Sequence, residues 1–303
     1  MYAIELDNVC KSFGTVRAVD GLSVRVPQGS VYGFLGPNGA GKTTTLRMVM
    51  DIIRPDSGAI QLFGSPAASP VRNRVGYMPE ERGLYRKMTA SAVLGYFGAL
   101  KGMAGGEIRR RADEWLERMS LAEHAGKKVE ELSRGMHQKL QFAVTVINDP
   151  DLLILDEPFA GLDPVNQDLL REIITGMRRE GKTVLFSTHG MHEAEQLCDF
   201  IVLINQGRVV VDGTLDQIRA GHESHTISLE LEGDSDFVQR LPQVVAVRRE
   251  GRRLEVTLRE RADPQDLLRT LVERARVRAF EIKQPSLHEI FIHLVGGSHA
   301  EDL

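Results

Sequence analysis

Cysteine is nearly absent. The 303 residues hold two, Cys10 and Cys198, far apart and without metal-spaced partners. They support neither a disulfide framework nor a zinc site, and two ordinary thiols in a reducing compartment are expected. No apolar run approaches the roughly 20 residues that span a bilayer. The opening MYAIELDNVCKSFG lacks the charged-then-apolar pattern of a signal segment. Charge of one sign is not in excess either. With 38 basic and 42 acidic side chains the formal net charge is -4, so no nucleic-acid partner is expected. Internal repeats and low-complexity stretches are missing too. What remains is 42% hydrophobic and 26% charged residues, the composition of a soluble globular chain long enough for one large domain or two smaller ones.

The pattern along the chain alternates strand and helix up to about residue 218. SVYGFLG (30–36), DLLILDEP (151–158) and KTVLFSTH (182–189) are short continuous apolar runs. Such runs predict strands of a sheet buried on both faces. DFIVLINQGRVVVDG (199–213) predicts a hairpin around Asn205, Gln206 and Gly207. Residues 107–119 and 164–180 predict amphipathic helices, the second started by Asp163 and Pro164. Near 219–226 the character changes. A small α+β domain is expected over 225–296, ordered strand, strand, strand, helix, strand, helix, with a frayed tail at 297–303.

GPNGAGKTT (36–44) fits G-x-x-x-x-G-K-[ST] between an apolar strand and the helical TTTLRMVMDII. Gly36, Gly39 and Gly41 let backbone N–H groups turn inward around phosphate oxygens, and the helix N-terminus adds its positive end. Lys42 is a point charge for the β and γ phosphates, and Thr43 offers a hydroxyl to Mg²⁺. In LLILDE (152–157), Asp156 at a strand end is placed to hold the magnesium shell through water. Glu157, next along, is expected on the other side of the strand axis, toward an attacking water. His189 ends another strand, at the edge where open α/β sheets place ligands. LSRGMHQKLQ (132–141) predicts a helix capped by Ser133 with a buried stripe of Met136, Leu140, Ala143, Val144 and Ile147. Gly135 weakens its first turn, which suits a close approach by another group.

With GPNGAGKT, LSRGM, LLILDE, AGLD (160–163) and STH (187–189) in this order, the chain resembles the ATP-binding subunits of ABC transporters over residues 2 to about 218. Within that family GYMPEERGLYRKMT (76–89), LSRGMHQKLQ and the terminal PSLHEIFIHL (285–294) resemble the bacterial sodium-efflux and drug-resistance exporters. The C-terminal domain resembles the accessory domain some of these carry. The resemblance implies a P-loop NTPase core over 1–218 with a helical subdomain at about 84–150 and an antiparallel β subdomain. It implies nucleotide contacts along Gly36, Pro37, Asn38, Gly39, Ala40, Gly41, Lys42, Thr43 and Thr44, with Phe13 stacking on adenine, where an ordinary core phenylalanine is the alternative. Glu157 becomes the general base, His189 the histidine that meets the γ-phosphate, and Thr43 and Asp156 the magnesium residues. Asp163, also an N-cap, matches the loop aspartate that crosses between subunits.

Two departures from the family pattern stand out. Glu80 follows Pro79 where glutamine is usual, and a carboxylate there can bind magnesium or water, its charge tempered by Arg82. Leu-Ser-Arg-Gly-Met replaces L-S-G-G-Q, yet Ser133 and Gly135, the positions expected at phosphate, are kept. The family mechanism implies Mg-ATP held between two copies of the chain, Lys42 of one facing Ser133 and Gly135 of the other. It also implies separate transmembrane permease subunits at the cytoplasmic face of the membrane, met by residues 84–105. Within that stretch Tyr96, Phe97 and Leu100 are equally well explained as core. A soluble ATP-driven clamp acting without a transporter is the alternative function, though relatives of that kind carry tandem cassettes or a coiled-coil insertion. His288 and His293 are expected as partly exposed helix residues, and the accessory domain as a device that joins the subunits or tunes their closure.

Overall fold

A computed structural model describes residues 1–67, 70–81, 83–221, 226–233, 235–259 and 262–296. In chain order the elements are β1 (Tyr2–Phe13), β2 (Val16–Pro27), β3 (Val31–Leu35), α1 (Lys42–Val49), β4 (Ser57–Leu62), β5 (Ser65–Pro66), β6 (Val75–Met78), α2 (Ala90–Leu100), α3 (Gly105–Arg118), α4 (Arg134–Val146), β7 (Leu152–Asp156), α5 (Pro164–Arg179), β8 (Thr183–Thr188), α6 (Met191–Leu197), β9 (Phe200–Asn205) and β10 (Arg208–Thr214). After α7 (Leu215–Ala220) come β11 (Thr226–Glu232), β12 (Val244–Glu250), β13 (Arg253–Leu258), α8 (Pro264–Arg274), β14 (Arg276–Ile282) and α9 (Leu287–Gly296). The chain divides into two compact units, Met1–Leu215 and Asp216–Leu303.

The main sheet has the order β10-β9-β3-β8-β7-β6. Strands β9, β3, β8, β7 and β6 run parallel, and β10 closes one edge antiparallel. Successive side chains of a strand point to opposite faces, and both faces are covered here. Leu152 and Ile154 of β7 enter one core with α1 and the β1–β2 strands, while Leu153 and Leu155 enter the other with α2, α3, α4 and α5. That double burial is why these strands are mostly apolar along their length. A second sheet, β2-β1-β4-β5, is antiparallel. The paired runs β1 and β2 carry no continuous apolar signal. Their apolar residues alternate with exposed polar ones and are spread over 12 residues each.

Two helices differ from expectation. TTTLRMVMDII is not helical throughout, because α1 ends at Val49. Asp51 turns left-handed at φ 52° and Ile52 lies exposed, so the last residues of that run leave the helix. Helix α4 is not amphipathic. Leu140, Ala143 and Ile147 are fully buried and Met136 and Val144 partly so, as expected, but His137, Gln138, Lys139, Gln141 and Thr145 are buried too. The helix passes between other elements and has little solvent face.

The second unit has its own antiparallel sheet, β12-β13-β11-β14, with Ile227, Leu229, Val256, Leu267 and Leu271 at its centre. His288 and His293 are exposed on α9. The tail 297–303 and Arg82 lie outside the described residues.

Candidate nucleotide site

Parallel strands point their carboxyl ends the same way, and adjacency decides which loops meet. The ends of β3, β8, β7 and β6 stand side by side. They carry in turn the 36–41 loop, His189, Asp156 with Glu157, and Glu80. Sequence-distant motifs thus share one edge.

The loop after β3 is shaped by close backbone approach. Gly41 sits at φ 102°, and a Cβ there would meet the Ala18 carbonyl oxygen at 2.3 Å, so no other residue fits. Lys42 is buried, and its Nζ donates to the carbonyls of Gly36 at 2.8 Å and Pro37 at 3.2 Å. The ammonium therefore lies inside the loop it belongs to. Thr43 and Thr44 are half-buried in the first turn of α1.

Across from the loop, Glu157 is held at φ 52° and is buried. Its Oε1 accepts from His189 Nδ1 at 3.0 Å and lies 3.8 Å from Lys42 Nζ. A carboxylate acceptor assigns the proton to Nδ1. The Glu157 side chain points inward, toward Lys42 and His189. Asp156 is fully buried. Its Oδ1 accepts from Ser187 Oγ, and that hydroxyl in turn accepts from Glu157 N at 3.1 Å. Asp156 Oδ2 is buried with no partner. A buried carboxylate oxygen left unpaired is costly, and it fits a donor set made for a hard cation.

Glu80 is exposed at the end of β6. Phe13 ends β1 half-exposed, at 51%, with Lys11 Nζ 5.6 Å above its ring. The core alternative for Phe13 is therefore excluded. The fate of the 84–105 stretch is divided. Phe97 packs against the core, while Tyr96 and Leu100 are exposed.

The 133–135 turn caps α4. Ser133 Oγ accepts from Met136 N at 3.3 Å. Arg134 lies along Gly161, where an added Cβ would meet its Nε at 2.3 Å. Gly135 differs from the loop glycines. A Cβ there would meet only Leu162 Cδ2 at 3.8 Å and the Gly161 carbonyl at 3.9 Å, ordinary contacts, and its φ is not positive. Among the described residues nothing requires glycine at 135. Asp163 caps α5, accepting from Asn166 N at 3.0 Å and Asn166 Nδ2 at 2.6 Å. The Asn166 backbone N–H, then its side chain, hold the Asp163 carboxyl below its ordinary value.

Three further residues hold this site together. Gln138 Nε2 donates to the carbonyls of Glu157 and Pro158, and Gln141 Nε2 to those of Pro79 and Glu81. Ser187 supports Asp156. Only Ser187 left a trace, as a polar residue following the apolar run Val184–Phe186.

The ABC transporter family model matches residues 19–160. A model described as the ATP-binding protein DrrA1-3-like C-terminal domain matches 213–295, and an AAA-domain model matches 128–193. The chain is 39% identical over 293 residues to an uncharacterised ABC transporter ATP-binding protein, YhaQ, of Bacillus subtilis, covering 97% of this chain and 98% of the relative. It is 35% identical to the daunorubicin/doxorubicin resistance ATP-binding protein DrrA of Streptomyces peucetius, covering 97% and 92%. A solved ATP-binding subunit of an ABC transporter superposes with a TM-score of 0.68 at 31% identity, over 72% of this chain and 92% of that one. The doubly covered sheet, the lysine-filled loop and the accessory unit therefore have one family in common: the chain belongs to the ATP-hydrolysing subunits of ABC transporters, on the branch that carries a C-terminal accessory domain and includes drug-resistance ATPases.

Proposed function

We propose that this chain is the nucleotide-binding subunit of a membrane exporter and works as a homodimer with two ATP molecules between its copies. The carrying observation is the contrast between glycines. Gly41 is required by its own loop, whereas among the described residues nothing requires Gly135. A glycine kept at an exposed helix start with no internal reason fits an approach from outside, by a γ-phosphate held on another copy's Lys42. Ser133 beside it adds a hydroxyl and the positive end of α4.

In this reading Lys42 and the loop N–H groups bind the β and γ phosphates. Thr43, Asp156 and Glu80 are the residues that would hold magnesium, Asp156 through water, and the ion supplies charge neutralisation at those phosphates. The orphaned Asp156 Oδ2 supports this. Glu157 takes a proton from the attacking water, and His189 orients that carboxylate and faces the γ-phosphate. Catalysis is mainly positioning and charge stabilisation. Phe13 offers an exposed face for adenine.

Among the described residues no helix is long and apolar enough to cross a membrane, and the reading pairs the chain with separate permease subunits. Tyr85 and Tyr96, an exposed edge-to-face pair 5.2 Å apart, with Leu100 nearby in sequence, give the helical subdomain an apolar patch for them. The resistance named for one relative supports export over a free-standing clamp.

The dimer is tested by mixing two inactive variants. Ser133→Arg spoils the site on the other copy, and Glu157→Gln spoils its own. Half of the mixed population forms heterodimers with one intact site each, so about a quarter of wild-type turnover returns. No recovery, with heterodimers present, refutes the shared site.

A further inference from the structure

Helix α4 carries the phosphate-facing turn at one end and buries two glutamines further along. Gln138 grips the end of β7. Gln141 is 3% exposed, and its Nε2 donates to the Pro79 carbonyl at 2.6 Å and the Glu81 carbonyl at 3.2 Å. The two acceptors flank Glu80. The loop is thus tied on both sides of Glu80, whose side chain is exposed. The amide orientation is fixed, because the reverse would set Oε1 against two carbonyl oxygens. Oε1 instead lies buried without a partner, a cost tolerated for the two bonds Nε2 makes.

The same helix also fixes the strand that leads into this loop. At Gly76 of β6 a Cβ would meet the Thr145 carbonyl of α4 at 2.5 Å. The strand lies directly on the helix backbone, and Gln141 sits one turn earlier on that helix. Glu80 is thereby registered to α4 and not only to β6.

We infer that Gln141 is a positioning residue: it clamps the 79–81 loop to α4 so that the Glu80 carboxylate is presented to the nucleotide site in step with the 133–135 turn. Arg47 of α1 also holds Glu81, at 3.2 Å, and Gln141 adds the tie to the helix that carries the 133–135 turn. Its action runs through Glu80, so the inference rests on the proposed role of that residue.

Gln141→Met keeps the length and approximate volume while removing the donor. The full chain is assayed for ATPase kcat, KM for ATP and magnesium half-saturation, in wild-type and Glu80→Ala backgrounds. In the wild-type background kcat falls about tenfold and more magnesium is needed, with KM for ATP unchanged, as a misplaced group at the reacting centre dictates. In the Glu80→Ala background the same substitution produces no further loss. Gln141→Lys, which restores a donor of similar reach, recovers part of the activity if it folds, and Gln141→Met is judged without it. An equal loss in both backgrounds makes Gln141 merely structural and overturns the inference. So does an unchanged kcat in Gln141→Met while Glu80→Ala is impaired. Full activity of Glu80→Ala itself refutes the role of Glu80, and the clamp with it, which separates the two failures.

Discussion

Gly135→Ala separates a folding role from a functional one, because the two have opposite signs. The added methyl meets Leu162 and the Gly161 carbonyl at 3.8 and 3.9 Å, ordinary van der Waals distances. Position 135 is the second residue of α4 with no positive φ. Alanine in place of an interior helical glycine is worth up to about 1 kcal/mol. In the first turn about half of that is expected, about 0.5 kcal/mol. For a unit of 215 residues that raises Tm by about 1–2 °C. Hydrolysis moves the other way. In the proposed dimer the methyl occupies the surface that the other copy's γ-phosphate would approach, and a displaced phosphate loses about tenfold or more in kcat. Differential scanning calorimetry and steady-state ATPase on one preparation read both numbers. A raised Tm with unchanged turnover refutes the phosphate-facing role. A lowered Tm accompanying lost turnover refutes the packing argument and returns Gly135 to its own fold.

Glu157→Gln is expected to lower turnover by about 10²- to 10⁴-fold while ATP still drives dimerisation, followed by gel filtration. The fold barely notices, since Lys42 keeps its bonds to Gly36 and Pro37, and wild-type turnover removes the base assignment. Lys139 is buried beside Met119, Phe142, Leu162 and Leu169, and that burial, partly opposed by Asp163, pulls its ammonium below 10.5. Between the lowered folded value and 10.5 the unfolded chain binds more protons, so wild-type stability rises with pH across that window. Lys139→Met should therefore raise Tm at pH 7, with a gap that narrows toward pH 10.5; a gap independent of pH in thermal scans refutes the charge explanation. Truncation after residue 220 should weaken ATP-dependent dimerisation, and unchanged association and turnover count against a joining role for the accessory unit.

The phosphate loop was legible because all its parts are consecutive. Glycines at 36, 39 and 41, then Lys42 and Thr43, form one turn whose chemistry needs no distant residue. Asp156, Glu157 and His189 were legible as strand ends because apolar runs stop there. Ser133 and Asp163 were legible as caps because an N-cap bonds to a residue three positions on. Helix α4 was not. Gln138, Lys139 and Gln141 have the period of a solvent face, and only packing on every side shows that they are buried.

Sequence alone therefore determined where the glycine-lysine loop and the acidic strand end lie, because those are matters of local geometry and strand direction. Tertiary structure alone decided how the edge is held together. Gln141 reaches Pro79 across 62 residues, Ser187 reaches Asp156 across 31, and Gln138 reaches Pro158 across 20. It likewise decided that Phe13 and Tyr96 face outward while Phe97 packs inward. Hydrogen bonds between distant segments, and the side of a helix left without neighbours, exist only once the elements are stacked, and no periodicity in the chain encodes them.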